Sequence, residues 1–221
     1  MRLPFTHIKH DFPSLLQETT DTGRTYKTPT GERYPSVTTV LKQYNEKAIT
    51  KWRKKVGTKK ADYVSRTANV RGTAVHEALE KYVNNENMQD VHMLPNAKTL
   101  YVHMKKVVDE HIDNIHCSES MLHSHELKLA GSVDLIAEWD GVLTVIDFKT
   151  SKKPKKKEWI ENYFMQLAAY SEMFTELTVI KITQGKIIIG IDNVGYAQIV
   201  EINPDDYVAP LKEYIAKYAN R

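Results

Sequence analysis

Val133-Asp134-Leu135-Ile136-Ala137-Glu138-Trp139, then Asp140-Gly141, then Val142-Leu143-Thr144-Val145-Ile146-Asp147-Phe148-Lys149: two apolar runs meet at a pair of residues that tolerate positive φ. A two-residue Asp-Gly loop between such runs is the strongest short hairpin signal, because both central positions of a type I′ turn need positive φ. Counting outward from the loop, Trp139 faces Val142, Glu138 faces Leu143, and Asp134 arrives opposite Asp147. That is a non-hydrogen-bonded pair, the closer kind, with Cα atoms about 4.5 Å apart. Val133, Leu135, Ala137 and Trp139 oppose Val142, Thr144, Ile146 and Phe148 on the reverse face, so burial of that face fixes the register.

Lys149 lies two residues past Asp147 and projects from the same face, so two carboxylates and an ammonium converge. Paired hard oxygens at the end of a sheet suit Mg²⁺ or Mn²⁺, which takes one or two carboxylates and leaves positions for water and substrate phosphate. The lysine can neutralise charge that develops on the phosphate. An exposed Asp/Asp/Lys ion-pair cluster is the competing account, and it wins for an isolated D-x-K tripeptide. The enforced register, the second acid opposite and the residues downstream tip the balance toward a site.

A chain of 221 residues holds one sizeable core. The expectation is a single domain over residues 1–221, mainly helical over 1–118 and a catalytic α/β core over 119–221. Charged residues make up 27% and no apolar run approaches the ~20 residues of a membrane span. Residues 1–10 lack the basic-then-apolar layout of a signal peptide and no transit peptide is obvious. An intracellular protein is expected, in the cytoplasm of a bacterial or phage-infected host, with no membrane partner. Cys117 is the only cysteine, which excludes a disulfide framework or a four-cysteine cluster within the chain. The net charge is only +3, but the cations are grouped in residues 51–60 and 152–157. No G-x-x-x-x-G-K-[ST] loop is present, so no nucleotide cofactor is expected.

Along the chain, residues 24–34 read as a hairpin around Pro29, Thr30 and Gly31, and Ser36 as the N-cap of a helix through Val40 and Tyr44. Helical spacing dominates to about Val83 and returns over 100–115. Strands are predicted over 121–129, 132–139 and 142–148, then a lysine loop over 151–157 and a helix over 158–174. Strands near 179–182, 186–191 and 196–202 and a closing helix over 207–218 complete a mixed sheet flanked by helices.

Several further residues are candidates for the site. Gln166 and Tyr170 lie one helical turn apart and share a face, although both also fit an ordinary amphipathic helix. His76 offers a neutral imidazole near a helix start. Glu126, on the first predicted strand, is a candidate for a second metal. Lys51, Trp52 and Arg53 interleave an aromatic ring with cations, a pattern suited to phosphates and stacked bases as well as to a solvated helix face. His116, Cys117, His123 and His125 match no usual zinc spacing.

These blocks together resemble the PD-(D/E)xK nuclease superfamily, in the branch typified by the nuclease domain of bacterial recombination helicase-nucleases. The resemblance covers about residues 35–174 and rests on ordered blocks. They are Pro35-Ser36-Val37-Thr38, Trp52, Gly72 with His76-Glu77-Ala78-Leu79-Glu80, Glu126, Gly131 with Asp134, Val145-Ile146-Asp147-Phe148-Lys149-Thr150-Ser151, and Gln166 with Ala169-Tyr170. It implies a restriction-endonuclease-like core beneath a helical arch. It also implies that Asp134 and Asp147 hold Mg²⁺ or Mn²⁺ with His76 and the Phe148 carbonyl, that Lys149 is catalytic, and that Gln166 and Tyr170 support the centre. Ser36, Lys51, Trp52, Arg53, Arg71, Ser151, Lys152 and Lys153 are then the candidates for DNA contact. The expected activity is a metal-dependent deoxyribonuclease, an exonuclease on single-stranded ends in replication, recombination or repair. A structure-specific or restriction-like endonuclease and a non-catalytic DNA-binding module remain as alternatives.

Overall fold

A computed structural model describes residues 3–21 and 23–220. The Asp140-Gly141 hairpin is present. Strands β5 (Leu129–Trp139) and β6 (Val142–Ser151) pair antiparallel from Trp139↔Val142 to Leu135↔Ile146, the expected register. Asp140 and Gly141 take φ values of 50° and 81°, as a type I′ turn demands. These strands belong to a five-stranded sheet in the order β4-β5-β6-β7-β8, completed by β4 (Ile112–Ser124), β7 (Gln184–Ile191) and β8 (Ala197–Ile202). Only the β6–β7 pair is parallel, and α5 (Glu161–Thr178) links the two strands. A parallel pair cannot be joined by a tight turn and needs such a crossover.

Both faces of the sheet are covered. Leu135, Ala137, Ile146, Phe148 and Ile188 pack with residues of α3 (Thr58–Val83) and α4 (Pro95–His111). Ile136, Val145, Ile187 and Ile189 pack with α1 (Val37–Leu41), α5 and α6 (Val208–Ala219). Val133, expected beside Leu135, lies instead in the second core. The β5–β6 ladder stops at Leu135, and the residues before it are free to leave the regular alternation.

A smaller antiparallel sheet precedes this one: β1 (Leu16–Thr20), β2 (Gly23–Lys27) and β3 (Arg33–Pro35). Ser36 caps α1 as its residue type predicts, its hydroxyl accepting from Thr39 N–H at 3.0 Å. After a short 3₁₀ turn, α2 (Glu46–Val56) meets α3 at Gly57, whose φ of 85° makes the corner. α2 buries no residue, and α3 buries only Ala61 before Arg71, so this helical pair stands off the sheet.

Two predicted elements are corrected. The helix over 100–115 ends at His111, and the strand placed at 121–129 starts at Ile112 and stops at Ser124. Irregularities between Ile112 and Ile115 and between Ile115 and Cys117 bring all three side chains inward at spacings of three and two. A bulged strand with that spacing imitates a helical period. The strand expected over 179–182 is absent. Val179 is the left-handed C-cap of α5, with φ 64° and its N–H on the Thr175 carbonyl, a conformation that β-branched residues rarely adopt. No helix among the described residues is long and apolar enough to cross a membrane.

Candidate active site

The site forms where the β5–β6 ladder ends. One step beyond Leu135↔Ile146, the Asp134 carboxylate takes over from the backbone: its Oδ2 accepts from Phe148 N–H at 2.8 Å. Asp134 is thereby fixed to β6 beside Asp147. Asp147 is 2% exposed, and its Oδ1 accepts from Lys149 Nζ at 2.6 Å and from Gln166 Nε2 at 2.9 Å. Burial raises the Asp147 carboxyl to about 6 against the pull of the Lys149 ammonium, and the nearby Asp134 charge pushes the same way as burial. Burial works to lower the Lys149 ammonium, but the charges of Asp147 and Asp134 outweigh it and its pKa is raised. The ammonium also lies 5.1 Å from the centre of the Tyr163 ring.

On the far side, α3 brings His76 Nδ1 to 3.4 Å from Asp134 Oδ2. Ligand atoms of His76, Asp134 and Glu119 all lie within 4.8 Å of one another. Two hard carboxylates and an imidazole fit a divalent cation. Glu119 is the residue that the sequence reading missed. It sits on β4 at φ 45°, accepts from Ser132 Oγ at 2.9 Å, and burial together with the Asp134 charge raises its pKa. Once the first strand is shifted to start at Ile112, Glu119 rather than Glu126 is the acid it presents to the site. Glu126 lies in the turn after β4 and pairs with Lys212 at 2.9 Å on α6, which removes it from any second metal position at this site.

The sheet-end residues predicted for the site therefore converge, whereas those proposed for DNA contact divide. Tyr170 is buried one turn from Gln166, with its hydroxyl against Gly131. Lys152 and Lys153 are exposed, and the Ser151 hydroxyl donates to the Lys153 carbonyl at 2.7 Å, which shapes the loop. Lys51 is exposed, Trp52 half-buried, and Arg53 pairs with Asp62 at 2.5 Å. Arg71 is a correction: it is 7% exposed and its guanidinium turns inward to Asp192 at 2.5 Å. Ser36 is 2% exposed, and its hydroxyl serves Thr38 and Thr39.

Two clefts open on the acids. One, of about 450 Å³, is lined by Lys42, Asn45, Ile49, Tyr163 and Gln166; the other, of about 640 Å³, by Asn69, Thr73, His76, Glu77 and Glu80.

Comparison with known proteins places the chain in a family. The sequence profile of the PD-(D/E)XK nuclease superfamily matches residues 43–220. The chain belongs to this superfamily. Human mitochondrial genome maintenance exonuclease 1 is 30% identical over 150 residues, which cover 62% of this chain and 42% of that protein. The mouse protein of the same name is 30% identical over 130 residues, covering 55% and 38%. That of Xenopus tropicalis is 39% identical over 79 residues, covering 34% and 22%. The match thus spans about two fifths of the first relative's length. Members of the PD-(D/E)XK superfamily generally use divalent metals, and the His76, Glu119 and Asp134 group is a possible site for one here.

Proposed function

We propose that the chain is a Mg²⁺- or Mn²⁺-dependent deoxyribonuclease, an exonuclease acting on single-stranded DNA ends in replication, recombination or repair. The observation that carries this reading is the clamp of Asp147 by Lys149 and Gln166, set directly beside the His76, Glu119 and Asp134 donors. The names of the partly covered relatives support an exonuclease.

His76, Glu119, Asp134 and Asp147, with the Phe148 carbonyl, are the groups that would hold the cation. Once bound, it supplies charge that polarises the phosphodiester and lowers the pKa of an attacking water. The chain's own contribution is positional. Asp147, itself held by Gln166, keeps Lys149 Nζ in one place, so that its charge needs no rearrangement as negative charge builds on the phosphate. Phe148 N–H holds Asp134 to the same strand end, keeping both carboxylates in register without a continuing ladder.

An endonuclease is the second reading, because the acids are open to clefts on two sides and an internal phosphodiester could lie across them. Linear single strands labelled at either end and a circular single strand, incubated with Mg²⁺, Mn²⁺ or chelator, separate the two. The expected outcome is stepwise shortening of the linear strands, an intact circle and no reaction in chelator. Lys149→Ala should lose about 10²–10³-fold in rate, the magnitude for removing one preorganised stabilising group, with its circular dichroism unchanged. Full activity in that variant would sink the assignment.

A further inference from the structure

Arg24 belongs to none of the strands β4, β5 and β6 that carry the site, yet among the described residues it shares with only Glu119 and Lys149 a place in the lining of both clefts that open on the acids. Glu77, Glu80, Glu119, Asp134 and Asp147 make this a negatively charged place for a polyanion. The Lys149 ammonium is engaged by Asp147. The Arg24 guanidinium forms no ion pair with any carboxylate among the described residues, and the residue is exposed at the start of β2. Among the described residues it is the one cation lining both clefts that no carboxylate engages.

Its backbone is also held more tightly than an exposed arginine on a short strand requires. Arg24 N–H donates to Thr39 Oγ1 at 3.1 Å, and the Arg24 carbonyl accepts from Ser36 N–H at 2.8 Å. The buried Ser36 hydroxyl donates to Thr39 Oγ1 at 2.8 Å. Gly23 presses so closely on Thr39 that a Cβ there would lie 2.6 Å from its Cγ2. The Pro35-Ser36-Val37-Thr38-Thr39 block thus fixes the backbone from which Arg24 projects.

We propose that Arg24 is a phosphate-binding residue for the nucleic-acid strand, gripping the backbone where it crosses from one cleft to the other beside the scissile position, with Ser36 and Thr39 as its positioning residues. A guanidinium suits this task because its donor fork matches two phosphate oxygens. The proposal rests on the nuclease reading.

The test measures binding of a fluorescein-labelled single-stranded oligonucleotide in Mg²⁺, in a Lys149→Ala background where cleavage is slow against the binding measurement, over a range of KCl. Adding Arg24→Gln should weaken binding about tenfold at low salt and reduce the slope of log K against log[salt] by about 0.7, one phosphate's share for single strands. Arg24→Lys should keep the slope with intermediate affinity. An unchanged affinity, or a loss of affinity with an unchanged slope in Arg24→Gln, overturns the proposal, the second because it marks a purely structural effect. Failure here while the wild type cleaves DNA rejects only the role of Arg24. A wild type that neither binds nor cleaves rejects the nuclease reading as well.

Discussion

Gly131 is the residue on which the support of the site turns. A Cβ there would meet the Tyr170 hydroxyl at 2.8 Å and its ring at 3.1 Å. Tyr170 is buried on α5, one turn from the glutamine that holds Asp147, so a displaced ring disturbs the packing around that glutamine. Gly131→Ala should therefore cost about 1–3 kcal/mol, the range for overpacking a filled core, and lower cleavage by displacing Gln166. Adding Tyr170→Phe removes the closest contact and should restore part of the stability; urea denaturation of both variants and wild type measures this. A Gly131→Ala protein as stable as wild type would show that the ring yields. Cys117 gives a second test. Burial pushes its thiol up to about 12, so iodoacetamide at pH 8 should label it in urea and leave the native protein unmodified. The linkage has a definite sign: in the unfolded chain the thiolate forms from pH 9 upward while the native thiol stays protonated, so native stability falls as pH rises through that window. Rapid labelling of native protein would contradict the burial.

At the level of elements, the turn between β2 and β3 carries a pH signature. The Glu32 carboxylate accepts from the Thr28 and Thr30 hydroxyls at 2.5 Å each, and these bonds, Thr28's foremost, hold its pKa down to about 2. Its contribution to folding is therefore complete above its ordinary value of 4.5 and is lost as pH falls toward 2. Carboxyl-carbon NMR should find one glutamate titrating well below the rest, returning toward the usual range in Thr28→Ala; a normal titration in wild type would refute the clamp. How far such elements are legible from sequence depends on whether their signal is local. The β5–β6 hairpin could be read because turn chemistry and alternation agree, and Ser36 because a cap needs only its own helix. Glu119 could not. Its place depends on irregular pairing of β4 with β5 and on a positive φ that the sequence does not announce. The same irregularity lengthened α4 in the sequence reading and drew attention to Glu126. The ladder's early end was equally hidden, because a carboxylate takes the place of the backbone only once β5 and β6 are assembled.

On the scale of the whole molecule, the site draws on β4, β5 and β6, on α5 from one layer and on α3 from the other, so its geometry depends on how the layers are tied. Arg71 and Asp192 form that tie. The ion pair joins α3 to the end of β7, and Asp192 N–H also donates to the Ser151 carbonyl at the end of β6. His76 follows Arg71 on the same helix by five residues, so movement of α3 there shifts the imidazole against Asp134. Breaking a buried pair from one side costs about 3–5 kcal/mol, because it strands the other charge. Arg71 is 7% exposed and its Nε already lacks a partner, so removing the carboxylate leaves the guanidinium little else to bind. Asp192→Ala should thus lose stability toward that range and lose cleavage at temperatures where it remains folded. The double variant Arg71→Met/Asp192→Leu, which removes both charges, should regain most of the stability. If the interaction instead served the substrate through Arg71, Asp192→Ala would free a cation and strengthen DNA binding without destabilising the fold. Denaturation midpoints and oligonucleotide affinity measured on the same three proteins decide between the two.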